Sequence, residues 1–323
     1  MTSETVPPSS LRVATWNVYL GADLEPLVRC DDVDTLAKAT REALQQAERT
    51  RFPERAELIA DAIGSSRPDV VGLQELGRWE IDSPRGREVL WDHAQLVTEA
   101  LERRGHPYVM LHCSDTFTGR FPLEDDSSVG FTNCDAMLLR ASPDRQITVL
   151  DAEHGHFDAR LQVTVPEADE TLHVKRGWVQ ADLEIGGHHV RVVTTHLDSM
   201  DTDVRRRQAH ELVATTSTSP YPVVLVGDLN PTAGDGVVDV LLRAGYVDAW
   251  EQAGVGDGLT WGRTPDLDTD ADLSERLDFV LLDPERVRTR AVELIGAAGS
   301  RSSGPEPIWP SDHAGVVAEL ELT

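Results

Sequence analysis

Six stretches of this 323-residue chain end or interrupt apolar runs with side chains that a core rejects. Asn17 closes the run Leu11-Arg12-Val13-Ala14-Thr15-Trp16, and Glu75 follows Val70-Val71-Gly72-Leu73. His196 and Asp198 follow Val192-Val193-Thr194-Thr195, and Asp228 and Asn230 follow Val223-Val224-Leu225-Val226-Gly227. Asp278 lies inside Arg276-Leu277-Asp278-Phe279-Val280, and Asp312 and His313 precede the last apolar run. Each is costly to bury unpaired. Converging run ends would make a pocket of carboxylates, amides and imidazoles. Hard oxygen ligands with incomplete coordination suit Mg²⁺ or Mn²⁺, with Ca²⁺ as a further oxygen-liganded cation. Taken singly, the plainer readings stand: Asp228 or Asn230 as a turn or helix cap, Asp278 as an ion-pair partner, His196 as a structural imidazole. Their joint occurrence points to chemistry.

The elements that must carry them follow from periodicity. The first strand is 11–18, with β-rich alternation. Residues 33–46 and 55–63 read as amphipathic helices, 69–74 as a short buried strand, and 89–104 as a helix stopped by Gly105. A strand is expected at 135–139, and an irregular excursion at 154–174. Strands at 177–185 and 189–195 flank Gly186-Gly187, a hairpin signal. A helix at 204–215, a strand at 222–226 and a helix at 237–244 come next, with strands at 277–282 and 316–322. The Gly- and Asp-rich segment 254–274 reads as a long surface loop. Mixed hairpin and crossover connections imply a layered α/β domain with mixed sheets. The expected organisation is a disordered tail at 1–10 and one domain over 11–323.

The blocks Thr15-Trp16-Asn17, Gln74-Glu75, Thr195-His196-Leu197-Asp198, Gly227-Asp228-Leu229-Asn230, Arg276-Leu277-Asp278-Phe279-Val280 and Ser311-Asp312-His313 resemble, in order, the signatures of the endonuclease/exonuclease/phosphatase superfamily. The resemblance runs from about Leu11 to Val317. It implies a four-layer α/β/β/α sandwich of two packed mixed sheets flanked by helices. It also implies a divalent-metal-dependent phosphoesterase that hydrolyses a phosphodiester or phosphomonoester. Glu75 resembles the principal metal carboxylate, Asn17 its adjacent amide, and Asp312 a further metal or metal-water contact. Asp228 resembles the residue that positions or deprotonates water, and Asn230 the amide on the phosphoryl oxygens. His196 resembles the imidazole bonded to a phosphoryl oxygen; His313 resembles the one facing the scissile phosphate, oriented by Asp278. Asp228 and His313 both remain candidates for the base. Arg176, in Lys175-Arg176-Gly177-Trp178, resembles an Arg-Gly element that reaches substrate, or is a surface base.

The chemistry accounts for these residue types. A cation neutralises the phosphate, amide and imidazole donors stabilise charge on its oxygens, and a carboxylate or imidazole takes the water proton. A His held by an Asp keeps one tautomer. No Ser or Cys nucleophile elbow occurs, so in-line attack by water without a covalent intermediate is expected. Two positions depart from the family pattern. Tyr19 stands where some nucleases carry an acid, and Cys134-Asp135-Ala136-Met137 replaces a small Asn-Gly pair.

Thirty basic against 56 acidic residues give a formal charge of −26. That field repels polyanions and opposes sequence-independent nucleic-acid binding. The substrate expected is therefore a small-molecule or lipid-derived phosphoester. A DNA or RNA nuclease is the alternative, and a non-catalytic binding module a third reading. The insertion 19–52 and the loops 117–132 and 154–160 are placed to wall the pocket. Arg205-Arg206-Arg207-Gln208 is the most basic spot, either a solvated helix face or a phosphate contact. Cys30, Cys113 and Cys134 are too few for a disulfide framework and are expected as packed or surface thiols, with one pairing left open. No apolar run is long enough to span a bilayer, and a cytoplasmic protein is expected.

Overall fold

The structure is a computed structural model that describes residues 9–30, 32–124, 126–143, 145–164, 171–269, 272–297, 301–303 and 306–323. Its layering can be read from one strand. Leu11 and Val13 point into one apolar cluster, while Ala14 and Trp16, on the opposite pleat, point into another. Both faces of that strand are therefore buried.

The chain runs β1 (Ser10–Asn17), α1 (Glu25–Val28), α2 (Val33–Arg49), α3 (Phe52–Ser66), β2 (Val70–Ser83), β3 (Gly86–Asp92), α4 (His93–Arg103) and β4 (Tyr108–Pro122). It continues through β5 (Ser128–Arg140), β6 (Ile147–His156), β7 (Leu161–Thr164), β8 (Thr171–Val174), β9 (Gly177–Ile185), β10 (His188–His196), α5 (Thr202–Thr216) and β11 (Val223–Asp228). It closes with α6 (Val237–Arg243), β12 (Val247–Asp248), α7 (Ala249–Ala253), β13 (Asp278–Leu282), β14 (Val287–Ile295) and β15 (Gly315–Leu322).

A seven-stranded sheet has the order β14-β15-β1-β2-β5-β4, with β3 pairing β2 beyond the end of β1. A six-stranded sheet has the order β12-β13-β11-β10-β9-β6. Val13, Val70 and Ala318 of the first meet Val179, Val192, Val224 and Val280 of the second in the central core. Helices α3 and α4 cover the outer face of the first sheet through Ile59, Ile63, Val97 and Leu101. Helices α5 and α6 cover the second through Ala209, Leu212, Val237 and Leu241. Each fully buried aliphatic side chain contributes about 1.5–3 kcal/mol. The result is the four-layer α/β/β/α sandwich that the motifs implied.

Two parallel pairs, β1–β2 and β10–β11, interrupt otherwise antiparallel ladders. Each needs a crossover, supplied by α2–α3 and by α5. The carboxyl ends of β1, β10 and β11 meet at one rim, where Asn17 bonds Asp228 and Asp228 pairs with His196. Gly72 lets the two sheets close there, since a Cβ on it would sit 2.2 Å from Thr194 Oγ1.

Several expectations are corrected. The helix expected at 89–104 starts at His93, because 86–92 pairs with β2. The expected loop 117–132 is largely the paired ends of β4 and β5. Strand β6 reaches His156, and β7 and β8 form a hairpin where an excursion was expected; residues 165–170 between them lie outside the described residues. Strand β14 and helix α7 were not foreseen. Of the expected tail, 1–8 lie outside the described residues, and Ser10 already belongs to β1. The described residues 254–269 and 272–274 are largely irregular but partly interior, with Thr260 and Leu267 fully buried. Cys113 and Cys134 form a disulfide, because the irregular β4–β5 register brings their Cα atoms to 6.0 Å. Cys30 is buried and donates to the Pro26 carbonyl. Among the described residues, no helix is long and apolar enough to cross a membrane.

Candidate active site

Strand pairing alone aligns three of the site residues. In the second sheet His196 is the register partner of Asp228, and Asp228 that of Asp278. Three chemically active side chains thus stand abreast on β10, β11 and β13. Gly227 makes this possible, since a Cβ there would approach the Thr195 carbonyl oxygen to 2.1 Å. In the first sheet Asn17 pairs with Gln74. The β2–β5 ladder is then interrupted between Leu73 and Leu76, and Glu75 adopts φ 61°. A non-glycine residue in the left-handed region is strained, and such strain concentrates at functional sites. Here the irregularity turns Glu75 to the rim, with its N–H on Asp135 Oδ1 at 3.2 Å.

Asn17 joins the two sheets. Its Nδ2 donates to Glu75 Oε1 at 3.1 Å and to Asp228 Oδ2 at 3.0 Å. That Asp228 oxygen also lies 3.6 Å from His196 Nε2 and 3.8 Å from His313 Nε2. His313 Nδ1 is 2.8 Å from Asp278 Oδ2. Asp228, Asp278 and His313 form one close cluster of ligand-type atoms, all buried. Asn230 N–H donates to Asp228 Oδ1, and its side-chain amide to the Leu197 carbonyl. The turn Ser311-Asp312-His313 is fixed to β1: Ser311 Oγ donates to the Asn17 carbonyl at 2.7 Å, and Trp16 Nε1 to the His313 carbonyl at 3.1 Å.

Charge is concentrated and desolvated here. Burial pushes the Asp312 carboxyl up to about 6, with Glu75 adding to the shift and His313 and Arg55 opposing it. Burial works to lower the pKa of His313, but Asp278, Asp312 and Asp228 reverse this and carry it up to about 10. Asp278 moves up as well, chiefly by burial and against the pull of His313. The 2.8 Å contact couples the two groups, so each shift depends on the charge of the other. Burial also raises the Tyr19 phenol, whose buried hydroxyl has no partner among the described residues.

The structure therefore brings together Asn17, Glu75, His196, Asp228, Asn230, Asp278, Asp312 and His313 from opposite ends of the sequence. Arg176 is buried, with Nη1 2.8 Å from His196 Nδ1. Asp198 caps a turn by accepting from Met200 and Asp201. Arg205 is not a phosphate contact: it is buried and bonded to Asp235, Thr232, Thr202 and the Asp198 carbonyl. The insertion reaches the site through Leu20, whose N–H donates to Glu75 Oε2.

Motif reading missed a set of supporting residues. Arg55 is fully buried and donates to the carbonyls of Val18, Tyr19, Thr50 and Pro310, tying the Asn17 strand end to the Asp312 turn. Burial lowers its pKa to about 10. Trp261 Nε1 donates to Asp312 Oδ2 at 3.3 Å, Thr260 Oγ1 accepts from the Asp278 N–H, and Arg263 donates to the carbonyls of Ser311 and His313. All three lie in the segment read as a surface loop. Asp135, buried between Glu75 and His196, did carry a signal: an acid inside an apolar strand.

A four-layer sandwich with such a rim defines the DNase I-like class. The sequence matches the Endonuclease/Exonuclease/phosphatase family over residues 14–313, and the chain belongs to that family. Among solved structures, an endonuclease/exonuclease/phosphatase family protein from Bacteroides thetaiotaomicron is 17% identical, with 98% of this chain and 100% of that chain covered and a TM-score of 0.63. A mannosyl-6-phosphatase from the same organism is 17% identical over 96% of this chain and 99% of its own, with a TM-score of 0.61. D. rerio TDP2, complexed with single strand DNA product, is 20% identical over 97% and 99%, with a TM-score of 0.58. At these identities the likeness is one of fold. No curated protein is a match by sequence.

Proposed function

We propose that the protein hydrolyses a phosphoester with a divalent cation, acting on a small-molecule or lipid-derived substrate. The observation that carries this reading is the hydrogen-bonded path Glu75–Asn17–Asp228, flanked by His196 and by the His313–Asp278 pair at one rim. The donor set fits a hard cation, because Glu75 and Asp312 are acids near one another and burial raises Asp312 in the absence of sufficient countercharge. Glu75, Asn17 and Asp312 would hold Mg²⁺ or Mn²⁺, and Ca²⁺ is compatible with the same oxygens. A bound cation supplies neutralisation of phosphate charge and of the leaving oxygen.

The chain's own residues do the rest. Asp228, whose Oδ2 faces both imidazoles, accepts the proton of the attacking water. His196 and Asn230 donate to the phosphoryl oxygens as charge grows. His313, oriented by Asp278, faces the scissile phosphate. Attack is in line, with no covalent enzyme intermediate. The supporting frame of Arg55, Arg263 and Trp261 fixes the Asp312 turn before substrate arrives.

The net charge of −26 favours a small or lipid-derived phosphoester over a nucleic acid. The likeness to a mannosyl-6-phosphatase is consistent with that choice. The nuclease reading rests on the likeness to TDP2 with its single strand DNA product. One screen separates them: Mg²⁺, Mn²⁺ and Ca²⁺ against nitrophenyl phosphate, bis-nitrophenyl phosphate, hexose phosphates, sphingomyelin, plasmid DNA and RNA. Turnover of the small or lipid substrates is expected. Cleavage of nucleic acid alone overturns the substrate class, and no turnover with any cation overturns the hydrolase reading in favour of a binding module. A single domain spanning 11–323 belongs to the same reading. The cytoplasmic expectation sits poorly with a Cys113–Cys134 disulfide, since such bonds persist mainly in oxidising compartments.

A further inference from the structure

We infer that Arg176 is a positioning residue that fixes His196 as its Nε2–H tautomer, so that the imidazole presents a donor to the reacting phosphate. The inference rests on the phosphoester reading for its consequence, but not for its geometry.

A guanidinium has five N–H donors and no acceptor. Arg176 Nη1 lies 2.8 Å from His196 Nδ1, so Nδ1 must offer its lone pair there. The ring proton of the neutral imidazole then sits on Nε2, the nitrogen 3.6 Å from Asp228 Oδ2. A competing partner stands nearby. Asp135 Oδ1 is 3.6 Å from the same Nδ1 and can only accept when ionised. It already receives the Glu75 N–H. Given the choice, Asp135 would draw the proton to Nδ1 and leave a lone pair on Nε2. That lone pair would face Asp228 and an anionic phosphate, and would repel both. The shorter arginine contact decides between these two states.

The backbone around Arg176 is held for this purpose. His196 pairs with Gly177, the next residue after Arg176. Phe157 N–H donates to the Arg176 carbonyl, Lys175 N–H to the Thr116 carbonyl, and Thr195 Oγ1 to the Gly177 carbonyl. A Cβ at Gly177 would lie 2.1 Å from the Gly155 carbonyl oxygen, so β6 and β9 close tightly at the residue after Arg176. Arg176 itself is 8% exposed, and its Nε has no partner among the described residues. The two imidazoles of the site are thus held in opposite senses at Nδ1. Asp278 accepts from His313, whereas Arg176 donates to His196.

Long-range ¹H–¹⁵N correlation of the ring nitrogens in the full-length protein tests this, with His196→Gln assigning the signal. The expected wild-type pattern is a pyridine-like Nδ1 and a pyrrole-like Nε2. Arg176→Met should move His196 toward the Nδ1–H pattern, and Arg176→Lys, which keeps a donor, should restore the wild-type pattern at least in part. In turnover, Arg176→Met should lower kcat about 10–100-fold with KM little changed, the scale seen when a group orienting an imidazole is lost. A pyrrole-like Nδ1 in the wild type, or an unchanged pattern in a folded Arg176→Met, overturns the proposal. Because the nitrogen signals need no substrate, failure to find an activity would leave this measurement decisive.

Discussion

Asn17 and Asp228 lie 211 residues apart and in different sheets, yet share a 3.0 Å hydrogen bond from Nδ2 to Oδ2. The same amide nitrogen holds Glu75. One neutral side chain therefore spaces two carboxylates that would otherwise repel each other. Asn17→Leu should lower kcat/KM by about 10–100-fold, the loss typical of removing a group that orients a metal ligand. Circular dichroism and thermal melting should show the fold retained. Wild-type activity in the folded variant would remove Asn17 from the site.

Asp278 and His313 act as one unit if a single proton joins them. Asp278→Asn and His313→Ala should each lower kcat by about 10²–10³, the loss typical of a donor facing the charge that develops on the phosphate. The double variant should lose little more than the worse single one. Independent, multiplying losses would mean that Asp278 does not work through His313.

Chelation should abolish activity, and Mg²⁺ or Mn²⁺ should restore it. Glu75→Ala should shift the restoring concentration upward by 10-fold or more, on the order of the loss for disturbing a metal site. His313→Ala should leave cation binding by calorimetry nearly unchanged. The opposite pattern would exchange the roles given to Glu75 and His313.

His93, packed behind the Glu75 backbone, provides a pH test of stability. It stacks on Phe52 at 3.4 Å, and its Nδ1 accepts from the Gly77 N–H. Burial and then Arg55 hold its pKa well below 6.5, with a bond at Glu75 opposing. The unfolded chain takes up a proton near pH 6.5 that the folded chain refuses. Stability from this group is therefore complete above that pH and is lost as pH falls toward the folded value. The expected slope is about 1.4 kcal/mol per pH unit. Urea unfolding of wild type and His93→Asn at pH 7.5 and 5.5 measures it. An equal pH dependence in both proteins would show that His93 is not the group responsible.

The Cys113–Cys134 bond closes a loop of 21 residues in sequence separation. Chain entropy gives such a crosslink about 3 kcal/mol. Cys113→Ser with Cys134→Ser, or reduction, should lower stability by that order in denaturant titration. Quantitative alkylation of both thiols in unreduced protein would show that the bond is not present in the working state.

The eight motif residues were readable in sequence because each breaks a local rule: a charge, amide or imidazole where an apolar strand should continue. Strand identity was legible for the same reason, since alternation in β1 and the apolar run of β11 are local properties. Boundaries failed where pairing overrode propensity. Residues 89–92 carry helix-compatible chemistry, yet they pair with β2. The long β4–β5 ladder and the Cys113–Cys134 bond likewise depend on register.

The sequence by itself determined which chemical groups this protein owns and in what order, because side-chain chemistry and strand periodicity are written residue by residue. Only the tertiary structure decided that Arg176 meets His196, that Arg205 is structural, and that Arg55, Asp135 and Trp261 support the rim. Those outcomes are set by contacts between segments far apart in the chain. Hydrogen-bond polarity acts over about 3 Å, and no spacing rule in one dimension encodes that distance.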